Sequence, residues 1–78
     1  MILNDFIEAY ETLHKYNKKS VLIVILVDHN LRPTNVLEYN CDKEAFTEHI
    51  RSLPVRTIYE PDMEEIGIIY QCVVQISK

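Results

Sequence analysis

The stretch that sets the fold runs from residue 21 to residue 27 and reads Val-Leu-Ile-Val-Ile-Leu-Val. This run of seven aliphatic side chains, most of them β-branched, favours a strand over a helix. Side chains alternate between the two sides of a strand, so the run divides into two sets. The sets are Leu22, Val24 and Leu26 on one face, and Val21, Ile23, Ile25 and Val27 on the other. Because both faces are apolar, either set is able to face the core.

Two helices and three further strands are predicted around this central strand. Residues 4–18 carry apolar side chains at helical spacing, with Asn4 as the N-cap. A second helix is predicted over residues 42–53, with Asp42 as its N-cap and Pro54 ending it. The predicted strands cover residues 20–28, 35–40, 55–60 and 68–77, with a loop over residues 29–34 and a connection over residues 61–65 that could form one helical turn.

The order α-β-β-α-β-β predicts an α+β fold. We expect a four-stranded, mainly antiparallel sheet with both helices on one face. The 78 residues correspond to a single small domain over residues 1–78.

Composition argues against several classes of protein. A net charge of −4 disfavours direct binding to nucleic acid, which needs clustered Lys and Arg. No apolar run approaches the roughly 18 residues that cross a membrane. The two cysteines, Cys41 and Cys72, follow no secretory signal pattern, so we expect reduced thiols and a cytoplasmic location. A single glycine, Gly67, excludes a glycine-rich phosphate-binding loop.

No pattern of catalytic or metal-binding residues stands out. The three histidines have neither the spacing nor the neighbours of a zinc site, so we predict no metal and no cofactor. An enzyme is therefore the less favoured class. As an alternative function, Asp28, His29 and Arg32 could bind a ligand in one loop at a homodimer interface. Cys41 could join them, because it precedes the predicted second helix, where reactive thiols are found.

The central strand indicates self-association. Two helices on one face of the sheet leave the other face open, and monomers rarely expose a large apolar patch. The residues predicted to cover this patch by pairing with a second copy are Val21, Ile23, Ile25 and Val73. A different protein, or one helix on each face, are the other ways to cover it.

An acidic stretch is the predicted site for a different protein. It contains Glu60, Asp62, Glu64 and Glu65, four acids within six residues around Pro61. The leading hypothesis is a small acidic, non-enzymatic interaction protein that acts as an adaptor or inhibitor. By composition it is analogous to the small acidic inhibitors of phages and mobile elements. A solvated, solubilising loop is the simpler interpretation of the same acids.

Overall fold

The computed structural model describes residues 1–41, 46–65 and 67–76. Its elements follow one another as helix α1 (Leu3–Tyr16), strands β1 (Val21–Val27) and β2 (Pro33–Tyr39), helix α2 (Glu48–Arg51), and strands β3 (Val55–Ile58), β4 (Asp62–Glu64) and β5 (Gly67–Gln75).

The sheet places β1 and β5 at its centre. The strand order is β2-β1-β5-β3, and β4 pairs with β5 beyond the end of β3. β1 runs antiparallel to β2 and parallel to β5, with Val21 opposite Ile69 and Val27 opposite Gln75. β3 and β4 are both antiparallel to β5. An aliphatic strand suits this central position, because both its edges are paired with neighbouring strands and one of its faces packs on the core.

The predictions of an α+β fold and of two helices are confirmed, but the number of strands and the α-β-β-α-β-β order were wrong. Among the described residues the sheet has five strands and is mixed: three of its four strand pairs are antiparallel, but the two central strands are parallel. The additional strand is β4, which lies in the connection where a helical turn was considered. Strands β2 and β5 also begin earlier than predicted, at Pro33 and Gly67. Pro33 is tolerated because it is the first residue of an edge strand.

The core lies between α1 and one face of the sheet. The even-numbered residues of β1, Leu22, Val24 and Leu26, are buried together with Cys72 and Val74 of β5. From α1 the core receives Leu3, Ile7 and Tyr10, and from the chain around α2 it receives Phe46, Ile50 and Leu53. The Tyr10 hydroxyl donates to the carbonyl of Ser20 at 2.8 Å, which joins the end of the helix to the start of β1.

Both helices differ from their predicted bounds. α1 begins at Leu3 after an N-cap at Ile2 that has no side-chain bond, so Asn4 is not its cap. Asn4 instead accepts a hydrogen bond from Arg51 at 2.6 Å. α2 is limited to one turn, because the Thr47 hydroxyl accepts from the Ile50 amide and starts the helix there. The predicted cap at Asp42 lies outside the described residues.

Gly67 fixes the approach of β5 to β1. Its φ of 140° favours glycine, and a Cβ at this position would lie 2.1 Å from the carbonyl oxygen of Lys19. The only glycine of the chain therefore permits the parallel pairing to begin.

Candidate functional site

The side of the sheet away from the helices is largely aliphatic at its centre. We call this side the open face, and its central aliphatic residues are Val21, Ile23, Ile25, Ile69 and Val73, with Gln71 between the last two. Strand register places them together, because Val21 pairs with Ile69 and Ile25 pairs with Val73. All five are half-buried, although they occupy the two central strands. Among the described residues, the hydrophobic core cluster is formed by the helices and the opposite side of the sheet, and it includes none of these five side chains.

The predicted self-association residues therefore lie together. Val21, Ile23, Ile25 and Val73 all belong to the open face. The exposed Val36 of β2, opposite Ile25, continues the apolar surface towards the edge. The sequence left open which side of β1 faces the core, and the structure assigns the Leu22 set to the core.

A depression of about 290 Å³ lies at one end of the open face. Its apolar lining includes Ile25, Val27 and Val73, and Arg56 and Tyr59 contribute polar groups. The Arg56 guanidinium donates to the side-chain oxygen of Gln75 at 3.3 Å. Arg56 reaches this face because the register of β3 shifts between Val55 and Thr57.

Charged residues lie at opposite corners of the open face. Glu38 is on the edge strand β2, opposite Ile23, and it is exposed. Arg56 is on the other edge strand, near the end of β1 that carries Val27. Sequence reasoning missed both residues, because their positions depend on strand order and on an irregular register. Glu38 alternates with Leu37 and Tyr39 along β2, and this alternation was the one signal in the sequence that indicated which face Glu38 occupies.

Leu31 is strained and exposed beside the same depression. Its φ of 63° lies in the left-handed region, which disfavours a branched side chain. The side chain is nevertheless 49% exposed and lines the depression. Asn or Gly would fit this turn with less strain, so the leucine adds apolar surface at a conformational cost.

The acidic residues lie on and around β4. We call residues 60–65 the acidic segment. All of them are exposed, and the middle of β4 is Met63, with 77% of its side chain accessible. Ile58 and Tyr59 are also exposed next to this segment. Carboxylates and exposed apolar side chains therefore lie side by side on one edge of the sheet.

Of the four residues of the alternative ligand site, three lie together in one turn and Cys41 lies elsewhere. Asp28, His29 and Arg32 belong to the turn between β1 and β2, where the Asp28 carboxylate accepts from the backbone amides of Asn30 at 2.8 Å and Arg32 at 3.0 Å. These bonds, that of Arg32 first, hold the pKa of Asp28 below its ordinary value. Cys41 follows the far end of β2, roughly 20 Å away at about 3.3 Å per residue. It also precedes the first described residue of α2 by several positions.

A Ser–His contact next to α1 is structural. His14 Nδ1 lies 3.1 Å from the Ser20 hydroxyl and 3.3 Å from the Tyr10 hydroxyl. Ser20 donates to the Asn17 carbonyl and is 1% exposed, so a substrate cannot reach it. Since both hydroxyl protons are already donated, Nδ1 of His14 acts as the donor in this network.

Within the described parts of the chain, no three potential metal ligands lie together. No helix among the described residues has the length and apolarity needed to cross a membrane. Comparison of the chain with protein-family models, with curated proteins and with solved structures gave no match.

Proposed function

We propose that this chain is a non-enzymatic interaction protein, an adaptor or inhibitor that works by binding other proteins. The observation that supports this most is the open face. Burying an aliphatic side chain stabilises by roughly 1.5–3 kcal/mol when burial is complete. Five half-buried aliphatic residues on one face therefore favour association by an amount comparable with the total stability of a small domain.

The proposal assigns a separate role to each of two surfaces. The open face, with Val21, Ile23, Ile25 and Val73, serves self-association. The acidic segment, with Glu60, Asp62, Glu64 and Glu65, serves a different protein. Asp62 and Glu64 point to one side of β4 and Met63 to the other, so its partner grips this edge of the sheet, with basic groups on the carboxylate side and an apolar pocket on the side of Met63.

Site-specific photo-crosslinking in cells tests the second surface. A photo-crosslinking phenylalanine analogue at position 63 is expected to capture a distinct protein. The matched control carries the same analogue at Tyr16, which is 88% exposed on α1. Neutralising the segment with Glu60→Gln, Asp62→Asn, Glu64→Gln and Glu65→Gln is expected to abolish capture at position 63, and the pair Asp5→Asn with Glu8→Gln is expected to leave it unchanged.

Two outcomes contradict the proposal for this segment. One is an identical set of captured proteins at positions 63 and 16, which would indicate random collision. The other is capture at position 63 that survives neutralisation of all four acids.

A further inference from the structure

We infer that the open face is covered by a second copy of the chain, and that Glu38 of each copy pairs with Arg56 of the other. This inference rests on the proposed self-association surface and adds its geometry. A symmetric dimer needs one surface that is complementary to itself. The open face meets this requirement, because it carries Glu38 at one corner, Arg56 at the opposite corner and, apart from Gln71, aliphatic side chains on the two central strands between them.

The positions of the two charges define the two-fold axis. Glu38 lies on β2 at the level of Ile23, and Arg56 lies across the sheet at the level between Ile25 and Val27. With strands about 4.8 Å apart and residues about 3.3 Å apart, the two charges are separated by about 14 Å across the strands and by about 10 Å along them. An axis perpendicular to this diagonal places each Glu38 over the partner's Arg56.

The same axis crosses the face near Ile25 and Val73. These residues lie on the two central strands and midway along the diagonal. Each copy therefore packs its aliphatic centre against that of the other, while the charge pairs lie at the periphery. Because the diagonal makes an angle of about 55° with the strands, the strands of the two sheets cross at roughly 70°. This crossing is closer to the orthogonal than to the aligned of the two preferred ways for sheets to pack face to face.

The size of the face predicts a weak dimer. Seven residues along β1 and four strands across give a footprint of roughly 450 Å² per copy. The exposed Val36 and Leu31 extend this surface. The total is close to the roughly 1,000 Å² that a specific interface needs. We therefore expect a dimer that forms at micromolar concentrations and dissociates on dilution.

Charge reversal tests the arrangement by sedimentation velocity over a dilution series. Glu38→Arg alone places two arginines together at each pair, and Arg56→Glu alone places two glutamates together, so each variant is expected to weaken the dimer at least tenfold. The double variant Glu38→Arg with Arg56→Glu is expected to restore it. An equimolar mixture of the two single variants is expected to form a heterodimer, because both of its pairs are then attractive. Glu8→Arg, on α1, is the matched control and leaves the dimer intact.

Milder variants keep the test valid if reversal at position 56 perturbs β3. Glu38→Gln and Arg56→Gln remove one charge each, and each is expected to weaken the dimer by a smaller factor and to reduce its dependence on salt. A two-dimensional amide NMR spectrum of each variant checks that the chain remains folded.

Three results overturn the inference. The first is a monomer at all concentrations for the unmodified protein. The second is a dimer that both single reversals leave unchanged. The third is restoration of the Arg56→Glu dimer by Asp62→Arg instead of by Glu38→Arg. Asp62 lies on β4 opposite Ile69, and it would meet Arg56 of the other copy only if the strands of the two sheets were aligned. The crosslinking at position 63 tests the acidic segment and not the open face. A failure to capture a partner there can therefore be distinguished from a failure to form the dimer.

Discussion

At the residue scale, two side chains have pKa values shifted in opposite directions from their ordinary ranges. Burial in the core raises the pKa of the Cys72 thiol to about 12, because its thiolate would have no water around it. Backbone amides at the turn lower the pKa of Asp28, because they donate to its ionised form. Each shift links folding to pH in a different window.

For Cys72, we expect alkaline destabilisation that a variant removes. Above about pH 9 the unfolded chain loses the thiol proton and the folded chain keeps it, so stability falls by about 1.4 kcal/mol per pH unit until about pH 12. Cys72→Ala carries a constant loss from its smaller side chain but lacks this slope. Urea unfolding of both proteins between pH 8 and about pH 11 measures the difference. A difference in unfolding free energy between the two proteins that stays the same at every pH would show that folding does not raise the pKa of the Cys72 thiol.

For Asp28, the contribution appears at acidic pH. Its folded pKa lies below the ordinary 3.8, so its stabilising bonds are complete above that value and are lost as the pH falls through the folded pKa. The amide proton shifts of Asn30 and Arg32 are expected to titrate with a midpoint below 3.8. Asp28→Asn keeps an acceptor and removes the titration. A midpoint at or above 3.8 contradicts the turn geometry.

At the element scale, the pairing of β1 with β5 depends on one close approach. We expect Gly67→Ala to destabilise the chain by at least about 2 kcal/mol, since the added Cβ would overlap the Lys19 carbonyl at a φ that disfavours alanine. Thermal unfolding followed by circular dichroism measures the loss. Ser52→Ala, at an exposed position at the end of α2, is the control. Equal melting temperatures for the two variants would contradict this parallel pairing.

Neighbouring residues of β1 are expected to respond differently to truncation. Leu22→Ala empties space in the core and is expected to cost about 2–5 kcal/mol. Ile23→Ala removes atoms from the open face, where partial solvent contact limits the loss to about 1 kcal/mol in the monomer. Chemical denaturation at a concentration low enough to exclude association compares the two. A larger loss of stability for Ile23→Ala than for Leu22→Ala would show that the core lies on the other side of the sheet.

The sequence predicted the elements that local patterns determine. The seven aliphatic residues of β1 and the helical spacing of α1 are local signals, and both elements are present. β4 was missed because it has only three residues, all of them exposed, and so short a stretch does not distinguish a strand from a loop. The parallel pairing was missed because strand neighbours far apart in the chain leave no mark on either strand. Glu38 and Arg56 became candidates only once strand order and register were known.

At the scale of the whole molecule, association and stability are linked. If the open face binds a second copy, dimerisation stabilises the folded state by mass action. The melting temperature of the unmodified protein is then expected to rise with protein concentration. Ile25→Lys, at the centre of the open face, is expected to fold and to melt at a temperature independent of concentration. Tyr16→Lys, on the exposed surface of α1, retains the concentration dependence. A concentration-independent melting temperature for the unmodified protein contradicts the linkage.

The parallel contact between the two central strands also has a consequence for the order of folding events. Val21 meets Ile69, 48 positions later in the chain, whereas β1 and β2 are joined by a short turn. Closing so long a loop is slow compared with forming a hairpin. The β1–β2 hairpin is therefore expected to form early. Until β5 pairs with it, the other edge of β1, its most aliphatic strand, remains unpaired. During that interval the nascent chain is most exposed to aggregation, and β5 ends the exposure when it inserts.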